Sequence, residues 1–452
     1  MTGENSLSKV AMKNTETDNS AFKEFVKAIS DKYHATKNPN GIRNIGVAVN
    51  RLNEKELLEK LNSINQITED NLDYADATGT SGLREGIAKL LNRYFNPCKD
   101  VLANQVVVVN GCTAVVDLIT TLTCDPGNAV LLSSPYYVGF ENDVKIRANC
   151  FIQKVKVPHD ELQEISQIKY YEQALEDLRL QGIQSKLLIL CNPHNPTGMC
   201  YSRKAVEEIL RFANRNKLYV LMDEIYALSV FRGEKWNDLP ENESERLYNF
   251  ESVLSFENLN ELIDPSLVIV VHGLSKDFCL NGFRVGWLVS PWNQRILDAA
   301  GVVSPMYYIS GIADSIVSKL LGDEEYVDYF LNLNVSRLRD NYIKFTATLR
   351  EKGIPYIPAQ AGHFIWIDLS KHLLQWRNKN LKDGEVARNS TTELTFDDEL
   401  DMWRGAINEG RVYVSSGTNF RAHEPGWYRI TISVPWDELD VGFNQFLKYI
   451  TK

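Results

Sequence analysis

KLLILCNPHNPTG, residues 186–198, passes from a run of apolar residues straight into a turn built from two Asn-Pro pairs and a Thr-Gly. A continuous Leu/Ile run of this length lacks period-2 alternation, so it predicts a strand buried on both faces, as in a parallel sheet. The two prolines fix φ and Gly198 supplies freedom where the chain must bend, so the turn is held in one shape. A plain turn needs one such signal, not two in succession. Similar short runs recur at VVVVN (106–110), AVLLSS (129–134), LYVLMDE (218–224), SLVIVVHG (266–273) and GWLVS (286–290). Segments 113–123, 203–216 and 292–300, which lie between or beside these runs, have helical spacing. The alternation predicts an α/β fold with a large, doubly wound, mostly parallel sheet domain over residues 70–320.

The rest of the chain reads differently. Residues 325–352 predict one long amphipathic helix ended by Gly353. HFIWIDL, RVYVSS and YRITISV then read as strands of a small α+β domain over residues 321–452, interrupted by a polar surface loop at 374–394. Residues 21–69 carry a helix, an NPNG turn and a second helix, and are expected to pack with the small domain. Residues 1–20 are polar and predict a disordered arm. The formal charge of 49 minus 59, or −10, argues against a nucleic-acid partner. No apolar window approaches the length of a membrane span. Seven cysteines and seven histidines are scattered without ligand spacing, so no metal site is expected, and a reducing, cytoplasmic setting fits best.

Open parallel sheets bind ligands outside the carboxyl ends of their strands. Five polar clusters follow the proposed strands: Gly111-Cys112-Thr113, Tyr136-Tyr137, Asn192 to Gly198, Asp223-Glu224 and Ser275-Lys276. Lys276, shielded by apolar neighbours, loses solvation of its charged form and becomes a nucleophile for a carbonyl. Arg284 and Ser275 can bind a phosphate together with the N–H groups of a helix opening at Gly111-Cys112-Thr113. Asp223 ends an apolar strand and must be paired or neutralised. The protonated pyridine of pyridoxal phosphate is one such partner, and Tyr226 and Asn195 can then reach its phenolic oxygen. Tyr137 can stack on a planar ring. Taken singly, Asp223 also reads as a helix cap, and Tyr226 and Tyr137 as packing residues.

The segments NPNGIRNIGVAVNRL, YADATGTSGLREGIAKLL, VVNGCTAVVD, PYYVGF, CNPHNPTG, DEIY, SKDFCLNGFRVGW and EPGWYR stand in this order between about residues 33 and 432. In order and spacing the chain resembles the pyridoxal-phosphate-dependent class I/II aminotransferases of fold type I, and within them the 1-aminocyclopropane-1-carboxylate synthase-like branch. The resemblance implies pyridoxal 5'-phosphate as cofactor, an amino acid as substrate and a homodimer with shared active sites. It aligns Lys276 with the lysine that carries the cofactor and moves protons, and Asp223 with the partner of the ring nitrogen. Asn195 and Tyr226 align with the contacts to the phenolic oxygen, Tyr137 with the stacking ring, and Gly111, Cys112, Thr113, Ser275 and Arg284 with the phosphate cradle. Tyr74 aligns with a tyrosine reaching the neighbouring subunit's phosphate, and Arg429 with the clamp on the substrate carboxylate.

Several positions depart from the pattern. Val49 stands where the synthases carry a glutamate near the substrate sulfonium, which argues against true synthase activity. Gly273 replaces a hydroxyl residue, and Cys112 and Cys279 replace small residues near the cofactor, where packing explains them better than redox chemistry. His363 and Arg421 are unusual for the branch and are expected on the substrate side. An aminotransferase is the leading reading, and a lyase cleaving a C–S or other Cβ or Cγ bond is the alternative. A silent regulator is disfavoured because Lys276 and Asp223 are both present.

Overall fold

The computed structural model describes residues 7–15, 20–232, 247–381 and 386–452. Its centre is a seven-stranded sheet in the order Val106–Val109, Gly286–Val289, Val268–Gly273, Tyr219–Asp223, Ser185–Cys191, Ala129–Ser134, Phe151–Lys156. All pairings are parallel except those of Gly286–Val289, which runs against both neighbours. The uninterrupted apolar runs have a direct cause. Val106, Leu188, Val220 and Val268 enter one buried cluster, while Val107, Leu187, Leu221 and Ile269 enter another on the opposite face. Successive side chains serve two cores, so these runs are apolar, and polar residues stand mainly at the strand ends, as Ser133, Ser134 and Asp223 do, while His272 is buried with Asp277 as its partner.

Helices Cys112–Thr123, Arg203–Asn216 and Gln294–Val303 form where helical spacing predicts them. Phe151–Lys156 is an additional strand at the sheet edge, where Phe151, Lys154 and Lys156 are exposed, Ile152 and Gln153 are partly buried and only Val155 is fully buried.

The smaller unit is built on an antiparallel sheet in the order Ser415–Ser416, Trp427–Thr431, Phe364–Asp368, Tyr356–Ile357. RVYVSS splits at Val414: Val412–Tyr413 pairs in parallel with Arg43–Asn44, and Ser415–Ser416 pairs with Trp427–Thr431. Segment 21–69 divides between the two units. Ala28, Ile42 and Ile45 enter the small core, whereas Leu57 of helix Glu54–Ile64 packs on the large one. Helix Glu324–Glu351 also serves both: Val327, Phe330 and Leu331 belong to the large core, and Leu338, Tyr342, Phe345 and Leu349 to the small one. The 374–394 stretch is not all loop, because helix Ser370–Lys379 covers its first residues and a short turn of helix its Thr391–Glu393; residues 382–385 lie outside the described residues. Within the expected arm, Lys9–Thr15 is helical, and residues 1–6 and 16–19 lie outside the described residues.

Candidate cofactor and substrate site

Strand Val106–Val109 leads through Gly111 into helix Cys112–Thr123. Gly111 has φ +89, a conformation that other residues resist, and a Cβ built on it would overlap the Arg284 guanidinium. Glycine is therefore required both by the backbone and by the approach of the cation. The Ala114 and Val115 N–H groups bond the Gly111 carbonyl, those of Cys112 and Thr113 have no backbone acceptor among the described residues, and no side chain caps the helix. Gly286 makes the close packing possible, since a Cβ there would lie 2.6 Å from the Cys112 nitrogen. Arg284 is steadied by a 3.0 Å bond from Nη1 to the Asn281 carbonyl. Helix dipole, open N–H groups and guanidinium converge, which is the arrangement a phosphate needs.

Asp223 lies buried at the end of its strand and accepts a 3.3 Å hydrogen bond from the Ile225 N–H. Burial pushes its pKa up to about 6, against the pull of the Ile225 N–H and the Cys191 thiol. A carboxylate so placed gains from a cationic partner, such as a protonated ring nitrogen. Tyr226, three residues on, is buried with its ring edge-on to Phe364 at 5.3 Å and His363 at 5.4 Å.

Lys276 is half-buried in the turn after Val268–Gly273, directly after Ser275, and its Nζ donates to the Ala48 carbonyl at 2.7 Å. Burial, and then the charge of Arg429, lower its pKa to about 8, with Asp223 pulling the other way. The neutral, nucleophilic amine is thus well populated near physiological pH. Val49, half-buried, adjoins the carbonyl that receives this lysine, and its own carbonyl accepts from the Ser433 hydroxyl at 2.7 Å.

Arg429, on strand Trp427–Thr431, is buried. Nη1 donates to Asn195 Oδ1 at 2.8 Å and Nη2 to the Gly46 carbonyl at 2.9 Å, while Nε has no partner. No carboxylate pairs with it among the described residues. Its guanidinium lies 4.6 Å from the ring centroids of both Phe364 and Phe420. A buried guanidinium without a counter-ion is prepared for an incoming carboxylate.

Tyr137, 44 % exposed, packs edge-on to Phe140 at 5.6 Å. Desolvation by the surrounding protein and then the charge of Asp143 raise its pKa, with Arg429 and Arg284 acting the other way. The fold thus brings Gly111, Cys112, Thr113, Tyr137, Asn195, Asp223, Tyr226, Ser275, Lys276, Arg284 and Arg429 to one end of the sheet. Tyr74 is different: it is 95 % exposed and makes no hydrogen bond among the described residues. It forms part of the wall of a surface cavity of about 500 Å³ with Leu72, Tyr308 and Ile309.

The two residues unusual for the branch are engaged by other side chains. His363 lies beside Tyr226, and its Nδ1 has no partner among the described residues. It is fully buried against Tyr226, with Nε2 3.1 Å from Ser229 Oγ, and burial lowers its pKa far enough to keep it neutral. Arg421 is paired with Glu141. The cysteines behave as packing groups. Cys112 lies against the cluster of Ala48, Ile225, Tyr226 and Phe364, and burial raises the pKa of both Cys112 and Cys279. Cys279 has φ +59, which accounts for the glycine usual at that position.

Asp277 was not singled out by its sequence context, although it directly follows Lys276. It accepts the Leu228 N–H and the Ser229 hydroxyl and lies 3.0 Å from His272 Nε2, tying the lysine's turn to the turn after Tyr226. No group of residues that could hold a metal ion occurs among the described residues.

A phosphorylated aromatic carbonyl with a basic ring nitrogen would use the cradle, the aspartate and the lysine together, and pyridoxal phosphate is such a molecule. Solved structures with the same architecture include proteins named as aminotransferases. An archaeal alanine:glyoxylate aminotransferase superposes with a TM-score of 0.76 at 19% identity, covering 98% of this chain and 97% of its own. An aspartate aminotransferase double mutant from Thermus thermophilus gives 0.71 at 18%, covering 99% and 100%. The model of the family Aminotransferase class I and II matches residues 44–446, and the chain belongs to that pyridoxal-phosphate-dependent family. It is 32% identical over 423 residues to 1-aminocyclopropane-1-carboxylate synthase-like protein 1 of Mus musculus, covering 92% of this chain and 77% of that protein. It is 29% identical to 1-aminocyclopropane-1-carboxylate synthase 4 of Solanum lycopersicum, covering 94% and 84%. A human relative at 30% identity, over 94% of this chain and 70% of its own, is named probable inactive 1-aminocyclopropane-1-carboxylate synthase-like protein 2.

Proposed function

We propose that this protein is an aminotransferase acting on an α-amino acid. The observation that carries the reading is Arg429: buried, free of any carboxylate among the described residues, and close enough to Lys276 to depress its pKa. Arg429 takes the substrate carboxylate, and its bond to Asn195 orients it. Once bound, pyridoxal phosphate supplies an electron sink that makes the substrate Cα–H acidic. Lys276, its pKa lowered to about 8, would serve as the base for that proton and hold it as the ammonium. With the cofactor bound, Asp223 would stay ionised by pairing with the ring nitrogen, Tyr226 would hydrogen-bond the ring oxygen, and Tyr137 would shield the ring from water. Gly111, the N–H groups of Cys112 and Thr113, Ser275 and Arg284 hold the phosphate.

The chain works as a homodimer. Tyr74 stands exposed with Leu72, Met306 and Tyr308, an apolar surface suited to a second copy, and reaches that copy's phosphate. Seven free cysteines suit a reducing, cytoplasmic setting.

A lyase is the second reading, favoured by the names of the synthase-like relatives. Val49 removes the acid that would balance a sulfonium, so S-adenosylmethionine is not the expected substrate under either reading. Lys276 and Asp223 argue against an inactive protein. A panel of amino acids and S-substituted cysteines, mixed with the loaded protein without keto acid, separates these readings. The expected result is one equivalent of pyridoxamine phosphate and then arrest. Sustained release of ammonia or thiol refutes transamination.

A further inference from the structure

Glu141 and Arg421 are 280 residues apart in the chain and join helix Gly139–Lys145 of the large unit to the loop before strand Trp427–Thr431 of the small one. Arg421 Nε and Nη2 donate to the two carboxylate oxygens at 2.7 and 2.6 Å, a fork that fixes the orientation of both partners. The Tyr136 hydroxyl adds a third bond to Glu141 at 2.6 Å. The backbone joins in, since the Tyr136 N–H donates to the Phe420 carbonyl at 2.8 Å, and Ser134 Oγ lies 3.1 Å from His423 Nε2. On one bank the next residue is Tyr137. On the other the residue before Arg421 is Phe420, whose ring lies 4.6 Å from the Arg429 guanidinium and edge-on to Trp366 at 5.4 Å.

The loop that carries Arg421 is anchored on its own side. Glu399, buried in helix Phe396–Asn408, accepts the Thr418 N–H at 2.7 Å, the Thr418 hydroxyl at 2.6 Å and the Gly426 N–H at 2.7 Å. Between these clamps Arg421 holds a left-handed backbone, φ +57, which persists in a non-glycine residue where the surroundings determine it. Glu141 stays charged: burial works against it, but hydrogen bonds from Arg421 and Tyr136 hold its pKa below the ordinary value. An exposed, singly bonded ion pair would contribute little. This one is partly shielded, bidentate and shared with a third donor.

We propose that Arg421 and Glu141 are positioning residues that hold Tyr137 and the Phe420–Arg429 pair in register, so that docking of a carboxylate at Arg429 depends on a contact outside the site. The proposal rests on the reading of Arg429 as the carboxylate clamp. Neither residue touches the reacting atoms. They act through the adjacent Tyr136 and Phe420, and the arrangement makes the two banks of the cleft one unit.

Two probes test it on the loaded protein. Aminooxyacetate and methoxyamine would each displace the Lys276 amine from the cofactor's carbonyl carbon through the same aminooxy group, giving an oxime and the free lysine, and only the first carries a carboxylate. The ratio of their rates, read as loss of the cofactor's visible absorption, measures carboxylate docking alone. The native protein is expected to prefer aminooxyacetate. Arg421→Gln and Glu141→Gln are each expected to cut that preference about tenfold while changing the methoxyamine rate by less than about twofold, with cofactor retention intact. Tyr136→Phe, which removes one hydroxyl, keeps the chain folded and gives a smaller loss in the same direction. The exchanged pair, Arg421→Glu with Glu141→Arg, recovers part of the preference. Folded variants that keep the full preference overturn the proposal and leave the Arg429 reading standing. A native protein with no preference, or a preference that survives Arg429→Ala, overturns that reading and the proposal with it.

Discussion

Replacing Asp223 with Asn is expected to stabilise the cofactor-free protein while weakening its hold on the cofactor. The carboxyl titrates at about 6 in the folded chain against an ordinary value of 3.8, and burial is the main cause. Below the ordinary value the group is protonated in both folded and unfolded chains and has no effect. As pH rises toward 6 the unfolded chain ionises first, so stability is lost; above about 6 the loss is complete. A rise from 3.8 to about 6 corresponds to about 3 kcal/mol at pH 7 and about half of that at pH 5. Asparagine has nearly the same shape, can still accept the Ile225 N–H and carries no charge to desolvate. Urea unfolding of the two cofactor-free proteins should therefore show the variant more stable at pH 7, with the gap narrowing at pH 5. Pyridoxal phosphate binding should move the opposite way, by about tenfold or more, because an amide offers a protonated ring nitrogen no negative charge. A variant no more stable than the native chain at pH 7, or a gap that ignores pH, would falsify the argument that this carboxylate waits uncompensated for a cation.

Three further outcomes are expected. Gly111→Ala should weaken pyridoxal phosphate about tenfold to a hundredfold but leave unphosphorylated pyridoxal nearly unaffected, because strain and the displaced Arg284 both act on the phosphate. Equal losses for the two ligands would show that the cradle lies elsewhere. The rate at which cofactor-free protein attaches pyridoxal phosphate should climb with pH through about 8 and level off, since only the neutral Lys276 amine reacts. In Arg429→Ala the midpoint should move upward, and a fixed midpoint would show that the arginine's field does not reach the lysine. Mixing Tyr74→Ala with Lys276→Ala, each nearly inactive alone, should restore about a quarter of native activity, the statistical share of intact shared sites in mixed dimers. No recovery despite subunit exchange would place Tyr74 in its own chain's site.

The parts of the fold legible in sequence are those where burial is two-sided. Leu187 to Leu190 can only be apolar because alternate residues enter different clusters, so the strand is visible without any neighbour. Phe151–Lys156 escaped notice because an edge strand tolerates Gln153, Lys154 and Lys156, which dilute the pattern. The candidate site was legible where each residue follows a strand or opens a helix, as Gly111, Asp223 and Lys276 do. Its long-range pairings were not. Nothing near His363 announces that Ser229, 134 residues away, will bond it inward, and nothing near Arg421 announces Glu141. Both side chains are polar and follow small or aromatic residues, a context equally consistent with facing a ligand. Only the folded chain shows the partners that occupy them.

Helix Glu324–Glu351 bears on how the chain can be divided. At 28 residues it extends about 42 Å, and its two ends complete two different cores. A fragment ending near residue 320 would lack Phe330 and Leu331, and the complementary piece cut near residue 336 would lose the start of the beam that carries Tyr342 and Phe345. Neither half is a natural unit for separate expression. Proteolysis at the exposed surface of this helix would be expected to unravel both halves together rather than release one intact, making resistance to cleavage there a sensitive gauge of whether the whole molecule is folded.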